Sequence, residues 1–227
     1  MNEYNQVKIG FLVASFVCCV APTFADTLSV KVGVDAAYSD LDVDVADHSY
    51  TYDTKINPSY WIKFEHFIPT LPNIKVQFDD VSTSLEHNLV DHNLKLTQMH
   101  YTLYYEVLDN GLVSADVGLN YTSVQGDMST PQHAEIDLEQ SQWAAYISSE
   151  LAFPGTDFFA FADALVGFDP AAYHDIQAGL GWRVSALADF DTKIGYRYTG
   201  IEGEESGTKT DYTLAHRGVF AGVSVSF

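Results

Sequence analysis

The chain has 227 residues and a formal charge of −20 at pH 7, with 14 Tyr, 14 Phe, 15 Gly and only two cysteines. That acidic balance excludes charge-driven binding to nucleic acid or to an anionic membrane surface. No apolar stretch beyond residue 25 approaches the roughly 18 residues of a spanning helix, so a helical membrane protein is excluded. A β-barrel is not, because its strands need only every second residue to be apolar.

Residues 1–25 read as a signal peptide. Lys8 precedes the apolar run IGFLVASFVCCVAP, and the segment closes on Thr23-Phe24-Ala25, with cleavage expected after Ala25. The run is about 14 residues, short of the roughly 20 a membrane span needs. Cys18 and Cys19 both fall inside it, and Ser15, Phe16 and Val17 do not supply the small residue a lipoprotein cleavage site requires before Cys. The remaining domain, 26–227, is then free of cysteine, which excludes disulfide staples and thiolate metal sites.

The first alternating segment is 27–39. Leu28, Val30, Val32, Val34, Ala36 and Tyr38 share one parity against Ser29, Lys31, Gly33, Asp35 and Ala37. One face suits lipid and the other is polar and small, the pattern of a strand in a membrane barrel. The same reading predicts strands at 58–68, 73–84, 97–108, 112–124, 140–152, 157–168, 173–185, 190–200 and 213–227. Outward sets include Tyr60, Ile62, Phe64; Ile74, Val76, Phe78; Tyr101, Leu103, Tyr105; and Ile194, Tyr196, Tyr198. In FFAFADALVGF both parities are apolar apart from Asp163, which is assigned to the inside.

Short turn-like links (69–73, 109–111, 154–157, 186–189) alternate with longer polar ones at about 40–57, 85–96, 125–139 and 201–212, plus a short one near Asp169-Pro170-Ala171. This asymmetry is that of outer-membrane barrels, with tight periplasmic turns and long extracellular loops. The predicted fold is therefore an all-β, antiparallel, up-and-down transmembrane barrel of about ten strands, with eight as the alternative and a soluble β-sandwich as the competing use of alternation. An even strand number puts both ends on the periplasmic side. The closing stretch GVFAGVSVSF alternates through to Phe227, which a free edge would expose and a pairing with DTLSVKVGVDAAY would cover.

DTLSVKVGVDAAY, SYWIKFEHFIPTLPNIKV, DTKIGYRY and GVFAGVSVSF resemble a largely uncharacterised family of small proteobacterial outer-membrane β-barrel proteins associated with rhombosortase-type sorting systems. The resemblance runs over most of 26–227 and implies the fold and an outer-membrane location. It carries no catalytic residue. By resemblance to outer-membrane barrels in general, Phe227 serves as the assembly signal read by the barrel-assembly machinery.

The parity assignment places Lys31, Lys63, Glu65, Glu106, Asp116, Glu150, Asp163, Asp175, Arg183, Lys193 and Arg197 in the lumen. Opposite charges in a narrow interior should pair there, since an unpaired one is costly. The predicted outer loops form an acidic rim that includes Asp40, Asp42, Asp44, Asp47, Glu135, Asp137, Glu202, Glu204 and Glu205. Asp40-x-Asp42-x-Asp44 fails as a calcium loop, with Val45 where Gly is needed and Thr51 in place of Glu. Nothing calls for a metal, a cofactor or a catalytic residue.

Three functions remain: a narrow, cation-preferring channel for small solutes; a closed structural or surface-interaction barrel whose acidic loops contact lipopolysaccharide; and, third, a rim hydrolase built on His87, His92 and His133. Lipid and lipopolysaccharide are the expected surroundings and the monomer the expected state. The Asn120-Tyr121-Thr122 glycosylation triplet lies within a predicted strand and is read as chance.

Overall fold

Alternation with period 2 leaves each strand with an apolar and a polar face, and closing the sheet removes its edges. A computed structural model describes residues 28–45, 48–87, 90–129, 136–168, 173–185, 188–204 and 211–227. The predicted leader, 1–25, lies outside them. The described residues form ten antiparallel strands in one closed barrel: β1 (Leu28–Val45), β2 (His48–His66), β3 (Asn73–His87), β4 (Val90–Asp109), β5 (Val113–Met128), β6 (Ile136–Ala152), β7 (Phe158–Gly167), β8 (Tyr173–Ser185), β9 (Asp189–Glu204) and β10 (Asp211–Ser226). Each strand pairs with its sequence neighbours, and β10 returns to β1 over Lys31↔Ser226 to Val45↔Tyr212. Phe227 continues that seam, exchanging backbone hydrogen bonds with Val30 at 3.0 and 3.1 Å.

We call the end where β1 begins and β10 stops the near end. Its turns are tight. Gly111 (φ 73°) and Gly155 (φ 77°) take the left-handed conformation that two of them need. Around the barrel an outward belt of Leu, Ile, Val and aromatic side chains is exposed, including Ile62, Leu103, Ile147, Leu180 and Val223. Tyr38, Tyr196 and the Tyr121–Trp143 pair (ring centroids 5.1 Å) lie toward its far margin, and Phe158, Trp182 and Phe190 toward its near margin. A continuous apolar belt of this extent is a lipid-facing surface.

The strands run farther than predicted. The segments read as long loops, 40–57, 85–96, 125–139 and 201–212, are strand wherever they are described, Ser129 excepted. The physical reason is that alternation continues with its polarity reversed. In β1, Tyr38 is the last apolar outward residue. Beyond it Asp40, Asp42 and Asp44 point out, while Leu41, Val43 and Val45 are buried inside. β2 re-phases through a bulge opposite Ser39 and Leu41, so Tyr52 also turns inward. The far part of the barrel is thus a collar with a water-facing outside and an apolar inside. β7 and β8 do not share in it: β7 pairs with β6 only from Ala144↔Gly167 to Ala152↔Phe159, and β8 starts at Tyr173↔Ile201.

Candidate functional site: a charged lumen beneath an apolar plug

From the near end inward, the bore passes through three environments. The first is a cavity of about 290 Å³, reached past the near-end residues Asp109, Gly111, Leu112 and Ser226. Its lining includes Lys31, Lys63, Lys75, Arg183 and Lys193 together with Asp35, Glu65, Glu106, Asp116, Glu150 and Asp163. With Asp109 counted, seven acids line it against five bases. Most are tied to a neighbour. Arg183 joins Asp191 (Nε to Oδ1, 2.7 Å) and Glu150 (Nη1 to Oε1, 2.9 Å), and Lys31 reaches the same Asp191 from β1. Lys63 Nζ stands 3.6 Å from Asp116, and the Tyr104 hydroxyl donates to Glu65 at 2.7 Å. Gln177 and Ser148 donate to Asp163 at 2.7 and 2.5 Å. Lys193 lies over Phe161, 4.6 Å from the ring centroid, and Lys75 over Tyr146 at 5.7 Å.

The second environment is a buried polar layer centred on Arg197. Its guanidinium crosses the bore from β9 to Asp79 on β3 while also holding Asp175 on β8, with Nε to Asp175 Oδ1 at 2.9 Å and Nη1 to Ser59 Oγ at 3.2 Å. Ser59 in turn donates to Asp79 at 2.6 Å. His100 Nε2 lies 3.3 Å from Asp79, and its Nδ1 is 2.9 Å from the Thr122 hydroxyl, which donates to Asn120. Ligand atoms of Asp79, His100 and Asp175 come within 4.8 Å of one another, a spacing a metal could use. Arg197 sits against both carboxylates, however, so the guanidinium supplies the positive charge that a cation would bring. The layer is an ionic tie across the barrel.

The third environment is the plug. Leu41, Val43, Val45, Tyr52, Val81, Leu94, Leu96, Val124, Met128, Leu138, Ala144, Tyr173, Ile201, Tyr212 and Leu214 are each at most 4 % exposed and form one cluster, with Leu165 and Tyr50 packed on it. All ten strands contribute. The Tyr52 hydroxyl donates to Ser129 O at 2.7 Å, and burial pushes its pKa up to about 12.

Between layer and plug, on the far side of the belt, stands His216. The outward neighbour on its strand is Arg217, paired with Asp42 in the water-facing collar. Ser82 N–H donates to Asn57 Oδ1, which turns the Asn57 amide nitrogen toward His216 Nε2 at 3.4 Å, and the Ser39 hydroxyl reaches the same nitrogen. The Asn57 amide donor aimed at Nε2 favours the unprotonated nitrogen, and the Ser39 hydroxyl can donate to it as well. Burial, then the charge of Arg197, lowers the pKa of His216 to about 4, against the smaller opposing pull of Asp175, Asp79 and Asp40. Its pKa in the unfolded chain is about 6.5, so as pH falls from 6.5 to 4 the unfolded state takes up a proton that the folded state refuses. Stability contributed by neutral His216 is complete above pH 6.5 and should decline by up to about 3 kcal/mol on the way to pH 4. Urea unfolding from lipid vesicles should show this slope in the wild type and lose it in His216→Gln.

The structure turns all eleven predicted lumen charges inward, with Glu106 at the cavity mouth and Asp175 and Arg197 in the polar layer. Sequence reading missed Lys75, Asp79, His100 and Asp191. Of the acidic rim, Asp40, Asp42, Asp44, Asp137 and Glu202 lie on the outer face of strands rather than on loops. Asp40 and Asp42 accept hydrogen bonds from Thr54 and Thr51, so the Asp40–Asp42–Asp44 ladder lies along one strand face and is not a cation cage. Asp47, Glu135, Glu205 and the Glu204 side chain lie outside the described residues, as do His133 and the His87 side chain. His174 faces outward, stacked on Tyr198 at 5.1 Å, away from Asp175. Asn120 is fully buried and hydrogen-bonded, as a chance triplet would allow.

No protein-family model matches the chain, and no curated protein is significantly similar to it in sequence. Solved structures do match. The outer membrane protease OmpT from Escherichia coli superposes with a TM-score of 0.55 at 8 % identity, over 92 % of this chain and 99 % of that one. The fold is that of an outer-membrane β-barrel. The translocator domain of the autotransporter NalP from Neisseria meningitidis matches at TM-score 0.47 and 12 % identity, covering 96 % of this chain and 94 % of that one. Neisserial surface protein A matches at 0.42 and 13 %, over 87 % and 97 %.

Proposed function

We propose that this protein is a closed, non-enzymatic barrel of the bacterial outer membrane, with its near end in the periplasm and its collar exposed at the cell surface as an interaction platform. The observation that carries this reading is the plug. Apolar side chains from all ten strands fill the bore above the polar layer, and an ion crossing them would shed its hydration with nothing to replace it. The lumen charges are paired across strands, which suits a polar core that holds the wall in register. The collar's outward acids, among them Asp40, Asp44, Asp137 and Glu202, face the region where divalent cations bridge lipopolysaccharide phosphates. Phe227, at the β1–β10 seam, fits a signal for the barrel-assembly machinery, and the monomer is the working unit.

Planar-bilayer recording tests the reading against the cation-preferring channel. Purified, refolded protein should give no discrete conductance steps in symmetric KCl. Reproducible steps with a reversal potential favouring cations in a salt gradient would replace the closed barrel by the channel.

A further inference from the structure

The collar has a notch. β6 runs eight residues, 136–143, beyond its last pairing with β7, and β9 runs past the first residue of β8. Between them no described strand fills the wall. The Phe168 N–H donates to the Trp143 carbonyl at 3.2 Å, so the backbone groups of Trp143 face the β7 side. Alternate residues of a strand present their N–H and C=O to the same neighbour. Asp137, Glu139 and Ser141 therefore aim theirs into the notch, while the even-numbered residues serve the ladder to β5. Among the described residues these three have no backbone partner on the notch side. Across the gap, the Gln140 side chain reaches the Tyr212 hydroxyl at 3.5 Å, and a Cβ on Gly203 of β9 would come within 2.9 Å of its Oε1. The two lips thus meet through side chains, with no backbone pairing between β6 and β9 among the described residues.

We propose that this edge of β6 is a docking site at which an extended, basic peptide segment of a partner protein adds as a strand beside Asp137, Glu139 and Ser141. The inference rests on the reading that the collar faces outward from the cell, but its test does not. Charge selects the occupant. The side chains of Asp137 and Glu139 flank the edge on its outer face, and Glu202 stands on the opposite lip, all exposed. A second copy would bring the same acids and be repelled, whereas Lys or Arg at alternate positions would be matched. Backbone pairing supplies the register, and the acids supply the choice of partner.

The test uses a fluorescein-labelled octapeptide of alternating Lys and Val, with a Glu/Val control, titrated by anisotropy against protein refolded in zwitterionic detergent. The Lys/Val peptide should bind and the control should not. Ser141→Pro deletes one notch-facing N–H without touching the β5 ladder, as proline is tolerated on a free edge, and should weaken binding about tenfold. Asp137→Lys with Glu139→Lys should transfer preference to the Glu/Val peptide. Hydrogen exchange on the wild type should show protection of the Asp137, Glu139 and Ser141 amides when peptide is added, which covers the case in which the proline variant fails to fold. Absence of binding to the wild type, undiminished binding by folded Ser141→Pro, or binding without amide protection would overturn strand addition. None of these results bears on conductance, so this inference and the closed-barrel reading fail separately.

Discussion

Replacing Arg197 with methionine is expected to cost about 3–5 kcal/mol, the scale on which removing one partner of a buried ion pair destabilises a protein. Arg197 holds Asp79 and Asp175 from β9, and neither acid is more than 7 % exposed. Without the guanidinium, two carboxylates on different strands would face each other in an interior that water does not reach. The charge, more than the shape, should carry the loss. Adding Asp79→Asn and Asp175→Asn to Arg197→Met should therefore recover most of the stability, because amides can still accept from Ser59 and Thr199 without an uncompensated charge. Urea midpoints for unfolding from lipid vesicles, with heat-modifiable migration on gels as a check on the closed barrel, would measure both. A single variant as stable as the wild type would show that the tie across the bore does not hold the walls. A triple variant as unstable as the single one would assign the loss to packing of the long arginine stem.

The belt and the strand count were legible because lipid on one side and a polar bore on the other impose opposite chemistry on successive residues. Leu28 to Tyr38 and Val219 to Phe227 show this, broken only by the inward apolar Ala37 and Phe220. The same parity could have delivered Lys75 and Asp79, since Ile74, Val76 and Phe78 point outward and leave 75, 77 and 79 inside. His100 follows in the same way from Tyr101 and Leu103. What parity cannot deliver is that Arg197 meets Asp79, a contact across the bore between β9 and β3 that depends on the tilt and stagger of the closed sheet. The collar was missed for another reason. DLDVDV alternates as strictly as any strand, but with acids where lipid-facing residues stood, and acid-rich stretches between apolar strands read as loops. The bulge in β2 then shifts Tyr52 onto a parity that no continuous count from Tyr60 would predict.

That reversal divides the barrel by solvent. Where lipid surrounds the wall, burial outside is cheap and the inside must satisfy charges with one another. Where water surrounds it, the hydrophobic effect returns and acts on the inner face, as in a soluble barrel. The collar is thus the part of the wall with an ordinary core, and the membrane part is the section whose interior depends on hydrogen bonds and ion pairs.

The plug should accordingly carry a measurable share of stability. Leu94→Ala is expected to cost about 2–5 kcal/mol, the range for emptying a filled apolar site, because Leu94 is fully buried among side chains from across the bore. Leu103→Ala, nine residues along the same strand but 47 % exposed on the belt, should cost only about 1 kcal/mol, since lipid closes over the missing atoms. Unfolding midpoints of the two variants in one vesicle system compare core with belt directly. Conductance separates stability from closure: a cavity lined only by apolar groups stays dry, so Leu94→Ala should still pass no current. Equal costs for the two substitutions would mean that the collar's interior is not packed as a core. The closed barrel would then lose the observation on which it stands.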